Sequence, residues 1–159
     1  MSSMARSSGL HRLVNTVSAR LRWLPPTVAR LTIGLVFVQT GWGKLHNLQK
    51  VVGFFTELGI PAPQFQAPLA ATAELLCGAL ILIGLFTRPA TLPLIVTMTV
   101  ALLTAKKADI HELSDLFGME EYLYIVILLW LGAYGAGPIS LDRFFARRRE
   151  SSPESLPVN

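Results

Sequence analysis

Charge and cysteine are what this sequence has little of. Only 15% of its 159 residues are charged, against about 25% in an ordinary soluble domain, and Cys77 is its one cysteine. A single cysteine excludes an internal disulfide, a paired-cysteine redox motif and a cysteine-rich metal centre. Its place inside an apolar run suits a small buried hydrophobe, because such surroundings suppress the thiolate. There is also no glycine-rich phosphate loop and no dinucleotide fingerprint. GLFTRPA and GAGPISLD contain glycines, but neither sits between a strand and a helix. His46 and His111 belong to no spaced ligand set, so no metal, haem or other intrinsic cofactor is expected. The first 25 residues mix arginine, serine and leucine without a continuous apolar core, so no cleaved leader is expected.

What the sequence does have is apolar length. Hydrophobic residues make up 52% of the chain, and four runs stand out at 28–45, 67–87, 89–105 and 122–137. A spanning helix needs about 20 residues. The second run reaches that alone; the others reach it when Arg30, Lys44, Lys106, Lys107 and Glu121 extend their charges toward the headgroups. The fold class is therefore all-α, an integral membrane four-helix bundle whose first partner is the lipid bilayer. The formal charge of +4 is no sign of nucleic acid here, because the basic residues flank apolar runs and read as topology signals. Arg6, Arg12, Arg20 and Arg22 precede the first run, and Arg143, Arg147, Arg148 and Arg149 come after the last. Both termini are accordingly expected in the cytoplasm, with 46–66 and 106–121 outside and Arg88 on a short inner link.

The chain divides into three segments, a single domain with its flanks. Residues 1–27 hold Leu10, Leu13, Val14, Val17, Leu21 and Leu24 at helical spacing, an amphipathic interfacial helix that Pro25 and Pro26 interrupt. Residues 28–145 form the membrane domain. Residues 146–159 are polar and proline-rich toward the end, and a disordered cytoplasmic tail is expected. The outer connections, LGIPAPQFQAP and ADIHELSDLFGMEE, suit short surface helices or lids over the bundle mouth.

Ionisable groups inside oil need a partner or a job. Lys44 lies near the outer end of the first run and Glu74 about 10 Å into the second, so the two share a depth. An ion pair between them removes the cost of either alone. Gly41 and Gly43 would let the neighbouring helix come close enough. Gln39 lies little more than a turn deeper and extends the polar track. His46, His111 and Glu112 fall on the outer connections and are expected to line the same mouth. The competing reading of Lys44 and Glu74 is an architectural pair that sets helix register. Arg88 and Asp142 are expected to clasp at the inner face. Gly137 and Pro138 end the fourth run, and Ser140 or Asp142 caps the segment beyond it.

Arg30 with IGLVFVQTGWGKL, Glu74 with ELLCGALILIGLFTRPA, and GAGPISLDRFF together resemble the DoxX family, over roughly residues 30–145. The positions that match are Arg30, Gly41, Lys44, Glu74, Gly78, Gly84, Arg88, Gly135, Gly137, Ser140 and Asp142. That resemblance implies a four-helix bundle of the bacterial inner membrane in a family linked to membrane oxidoreductases. Among its relatives are the membrane subunit of thiosulfate:quinone oxidoreductase and components that assemble with thiol-sulfur and superoxide-handling partners. A lone buried cysteine offers no dithiol relay, which argues against thiosulfate chemistry.

The leading expectation is a membrane subunit of a quinone-linked oxidoreductase system. Lys44 and Glu74 are its catalytic candidates, and Gln39, His46, His111 and Glu112 its substrate-binding ones. Arg30, Gly41, Arg88 and Asp142 are structural. Quinone is the exchangeable electron carrier and a redox protein the partner, with a second copy of the chain as another. The alternatives are a non-enzymatic scaffold or assembly factor for a redox partner, and a small-solute or proton carrier. The last is weakened by LLCGALILIGLF, which leaves no polar route beyond Glu74.

Overall fold

The computed structural model describes residues 16 and 19–150, the side chains of 146–150 excepted. The expected amphipathic helix lies mostly outside the described residues, as does 151–159 of the expected tail. Among the described residues the protein is all-α. Helix α1 is Leu24–His46, α2 Leu48–Glu57, α3 Pro63–Ile83, α4 Thr87–Thr104, α5 Leu113–Gly118, α6 Glu120–Tyr134 and α7 Leu141–Glu150, with one 3-10 turn at Lys107–Asp109. Residues 146–150 thus continue a helix.

Three of these helices, α1, α3 and α4, are long and apolar enough to cross a membrane. The fourth apolar run forms α6, which has 15 residues, about 22 Å at the helical rise, where a span takes at least about 17 residues. In place of four comparable spans, the protein has three long helices and a shorter fourth. The second expected run also ends earlier. Its apolar character continues through Gly84, Leu85 and Phe86, but the chain reverses there. Gly84 adopts a left-handed φ of 74°, and the N–H groups of Gly84 and Leu85 donate to the carbonyls of Ile81 and Leu80, closing α3. Thr87 opens α4 instead of ending α3. Pro25 and Pro26 sit in the first turn of α1, where a missing N–H costs no helical bond.

Helices α1 and α3 pack backbone to backbone. A Cβ placed on Gly41 would lie 2.9 Å from the Ala71 carbonyl oxygen, and one on Gly78 would lie 2.8 Å from Phe37 Cβ. Helices α4 and α6 pair on the other side, with Gly132 admitting Thr91. Ile33, Phe37, Ile81, Leu94, Leu128 and Leu131 fill the centre. Outside, Leu35, Leu76, Leu92, Val96, Leu103 and Leu129 are exposed. An apolar exterior around an apolar core is the distribution that hydrocarbon requires and water penalises.

Candidate functional site

Glu74 is completely buried in the middle of α3. Lys44 stands in the last turn of α1, where the helix dipole favours a cation, and its side chain is 33% exposed. Its Nζ donates to Glu74 Oε1 at 2.5 Å. Gly41, one turn before Lys44, makes this possible: its missing side chain lets α1 settle against Ala71 and Leu75, bringing the two charges together. The second carboxylate oxygen of Glu74 is buried without a hydrogen-bond partner. A carboxylate so placed has unused acceptor capacity.

Lys44 also lines a cavity of about 700 Å³ between α2, α3 and α4. Val51, Phe54, Phe55 and Leu58 enter from the α2 side, Leu69, Ala70 and Ala73 from α3, and Pro93, Met98 and Ala101 from α4. The wall is mostly apolar, with Lys44, Lys50, Gln66, Thr97 and Thr104 as its polar side chains. Helix α2 covers it. The spacing of Val51, Phe54, Phe55 and Leu58 is the i, i+3, i+4, i+7 pattern of an amphipathic helix, a signal that marks this apolar face in the sequence but not the cavity it covers. Gln66 donates to the Pro61 carbonyl at 2.7 Å and pins the loop between α2 and α3.

The remaining expected site residues lie elsewhere. Gln39 is exposed on α1 and does not line the cavity. His46 packs against Trp42 in a tilted contact, with ring centroids 4.3 Å apart, and its Nδ1 lies 2.9 Å from the Trp42 carbonyl oxygen. His111 and Glu112 belong to the cap of α5. Their N–H groups both donate to Asp115, and the bonds from Glu112 and then His111 hold that carboxyl below the usual carboxylate range. Neither joins Lys44. A Cβ placed on Gly43 would have nothing within 4 Å, so only Gly41 serves the close approach. Lys106 reaches Glu121 at 3.9 Å.

The far end of the bundle carries a second polar centre. Arg30 is only 5% exposed, so it does not extend toward the headgroups; it donates from Nη1 to the Ile139 carbonyl at 2.6 Å and to Ala136 at 3.3 Å. Glycine at 84 leaves the room its guanidinium occupies. The Asp142 carboxylate accepts from the N–H groups of Phe86 at 2.8 Å and Thr87 at 3.2 Å. It therefore caps α4 from a distant part of the chain. The expected Arg88 to Asp142 clasp is replaced by this cap: each carboxylate oxygen accepts from a backbone N–H at the α4 start that has no partner within the helix. Ser140 accepts from the Arg143 N–H at 3.3 Å, as an N-cap of α7 does.

Helices with an apolar exterior, and a buried ion pair bridging two of them, define a multi-pass membrane bundle. Residues 26–107 match the DoxX family, and the chain belongs to that family. It is 35% identical over 141 residues to an uncharacterized membrane protein of Mycobacterium tuberculosis, covering 78% of this chain and 84% of the relative. The inner membrane protein YphA of Escherichia coli is 30% identical over 123 residues, 73% of this chain and 86% of its own. CatD of Bacillus subtilis, named as a candidate oxidoreductase, is 27% identical over 124 residues, 77% of this chain and 87% of its own. No solved structure matches.

Proposed function

We propose that this protein is the membrane subunit of a quinone-linked oxidoreductase system, with the quinone ring in the cavity beneath α2. The observation that carries this reading is the 700 Å³ apolar cavity with Lys44 on its wall and Glu74 behind it. Small-molecule sites are typically apolar clefts of about 300–1,000 Å³ with a few converging polar groups. The name given to CatD, a relative at 27% identity, points the same way.

A bound quinone supplies two-electron, two-proton chemistry, and a redox partner protein supplies the electrons. Lys44 Nζ donates a hydrogen bond to the ring carbonyl and balances negative charge that develops there. Glu74 holds Lys44 in place and sets its charge balance. Helix α2 keeps water from the ring, and the isoprenoid tail leaves between α3 and α4 toward lipid. In this reading α6 and its non-helical ends complete a fourth crossing, both termini lie in the cytoplasm, and the Lys44 end faces outward.

Binding of a short-chain quinone to purified, detergent-solubilised protein tests the proposal. Saturable binding is expected, weakened about tenfold by Lys44→Ala, the value of one charge-assisted hydrogen bond. Ala101→Phe, which fills the cavity from α4, should weaken it at least as much. Absence of saturable binding by folded wild type rejects the quinone site and leaves the scaffold, whose signature is partner capture lost with Lys44→Ala.

A further inference from the structure

At the opposite end of the bundle lies a second cavity of about 580 Å³, between the α4 start, the α6 end and the chain that leads into α7. Arg88 and Arg143 both line it and both are exposed. Among the described residues neither guanidinium has an ion-pair partner. Asp142 is the one acid in the wall. Its oxygens are engaged by the Phe86 and Thr87 N–H groups, and buried Arg30 lies close enough to act on it electrostatically. Two guanidinium groups and one carboxylate therefore line the cavity, with a third guanidinium, Arg30, buried nearby. Thr87, fully buried, also lines the cavity, and its hydroxyl has no hydrogen-bond partner.

The rim has a different character. Phe86 and Tyr134 line the cavity and are 63% and 73% exposed, and Ile139, Phe144 and Phe145 are exposed nearby in the chain. Exposed aromatics beside arginines at a helix-bundle end mark the depth where headgroups meet acyl chains. Planar, permanently charged guanidinium forks match phosphate oxygens in geometry as well as charge. A soluble anion would use the arginines alone; a lipid uses the arginines and the apolar rim together.

We propose that this cleft is a phosphate-ester site that takes the headgroup of an anionic phospholipid, with Arg88 and Arg143 on the phosphate and acyl chains running over Phe86 and Tyr134. The site is independent of the quinone reading. Basic pockets between membrane helices are known to recognise such headgroups.

The full chain, purified in detergent and delipidated, tests this by native mass spectrometry and thermal unfolding. One arm adds short-chain phosphatidylglycerol, with net-neutral phosphatidylcholine of the same chains beside it; the other adds inorganic phosphate. One phosphatidylglycerol retained per chain and a raised Tm are expected, with affinity down about tenfold in R88Q or R143Q. The pair K106Q/K107Q, at the other end, should leave binding unchanged. R143Q alone carries the test if R88Q fails to fold. Should phosphatidylglycerol behave like phosphatidylcholine while inorganic phosphate binds and loses affinity in R88Q and R143Q, the phosphate site stands and its ligand is a soluble phosphate ester. Binding of neither, binding untouched by R88Q and R143Q, or equal loss in K106Q/K107Q overturns the proposal.

Discussion

A buried carboxylate held by a single ammonium is the most exacting arrangement at the residue scale. Glu74 loses all contact with solvent, while Lys44 keeps a third of its side-chain surface. Removing the cation strands a charge; removing both strands nothing. Lys44→Met should therefore lower stability by about 3 kcal/mol, the low end for a broken buried pair because Lys44 is partly solvated. Lys44→Met with Glu74→Met should come back to within about 1 kcal/mol of wild type, since well-packed apolar replacements of buried pairs are often neutral. Reversible unfolding in detergent measures both. A double variant as unstable as the single would show that the pair's own attraction, not the stranded carboxylate, dominates. The pairing was legible from the shared depth of Lys44 and Glu74. The burial of Arg30 was not, because its carbonyl acceptors, Ala136 and Ile139, are more than a hundred positions away.

At the scale of elements, what matters is how closely α1 and α3 approach. GWG offers two glycines, and sequence alone treats them alike. Only Gly41 faces α3, where a side chain would meet Leu75 and Ala71 backbone; Gly43 points into open space. Gly41→Leu should cost about 1–3 kcal/mol through overpacking and separate Lys44 from Glu74. Gly43→Leu should leave the unfolding temperature unchanged or slightly raised, since it removes a helix-weakening glycine. Equal effects in thermal unfolding would contradict the one-sided contact. The elements themselves come from apolar runs, yet two boundaries do not. Residues 84–86 are as oily as their neighbours, and the turn there depends on a left-handed glycine and on Asp142 capping Phe86 and Thr87. Helix α2 carries a local signal in its spacing of Val51, Phe54, Phe55 and Leu58, but the short helix expected in this connection falls on LGIPAPQFQAP, where Pro63 opens α3 instead.

For the whole molecule, the two cavities lie at opposite ends of one bundle. Helix α6 runs back along α4, since Gly132 meets Thr91 and the chain beyond α6 reaches Phe86 and Thr87. A crossing by α6 places Arg143 on the side opposite Glu57. In a Cys77→Ala background, Glu57→Cys should react with a membrane-impermeant maleimide in intact cells, and Arg143→Cys only after permeabilisation. Labelling of both in intact cells would rule out the fourth crossing with cytoplasmic termini.

Composition and periodicity by themselves determined that this chain is helical and belongs in a membrane, because hydrocarbon selects for long uncharged runs whatever their packing. They also placed Lys44 and Glu74 at one depth, since helical rise converts position into distance. Only the tertiary structure decided that His46, His111, Glu112 and Gln39 stay apart from that pair, that Gly41 and not Gly43 admits α3, and that Asp142 caps α4 in place of binding Arg88. Those outcomes turn on the rotation of each helix about its axis and on contacts between distant segments. A helix's rotation is set by the neighbours it packs against, and no local pattern records them.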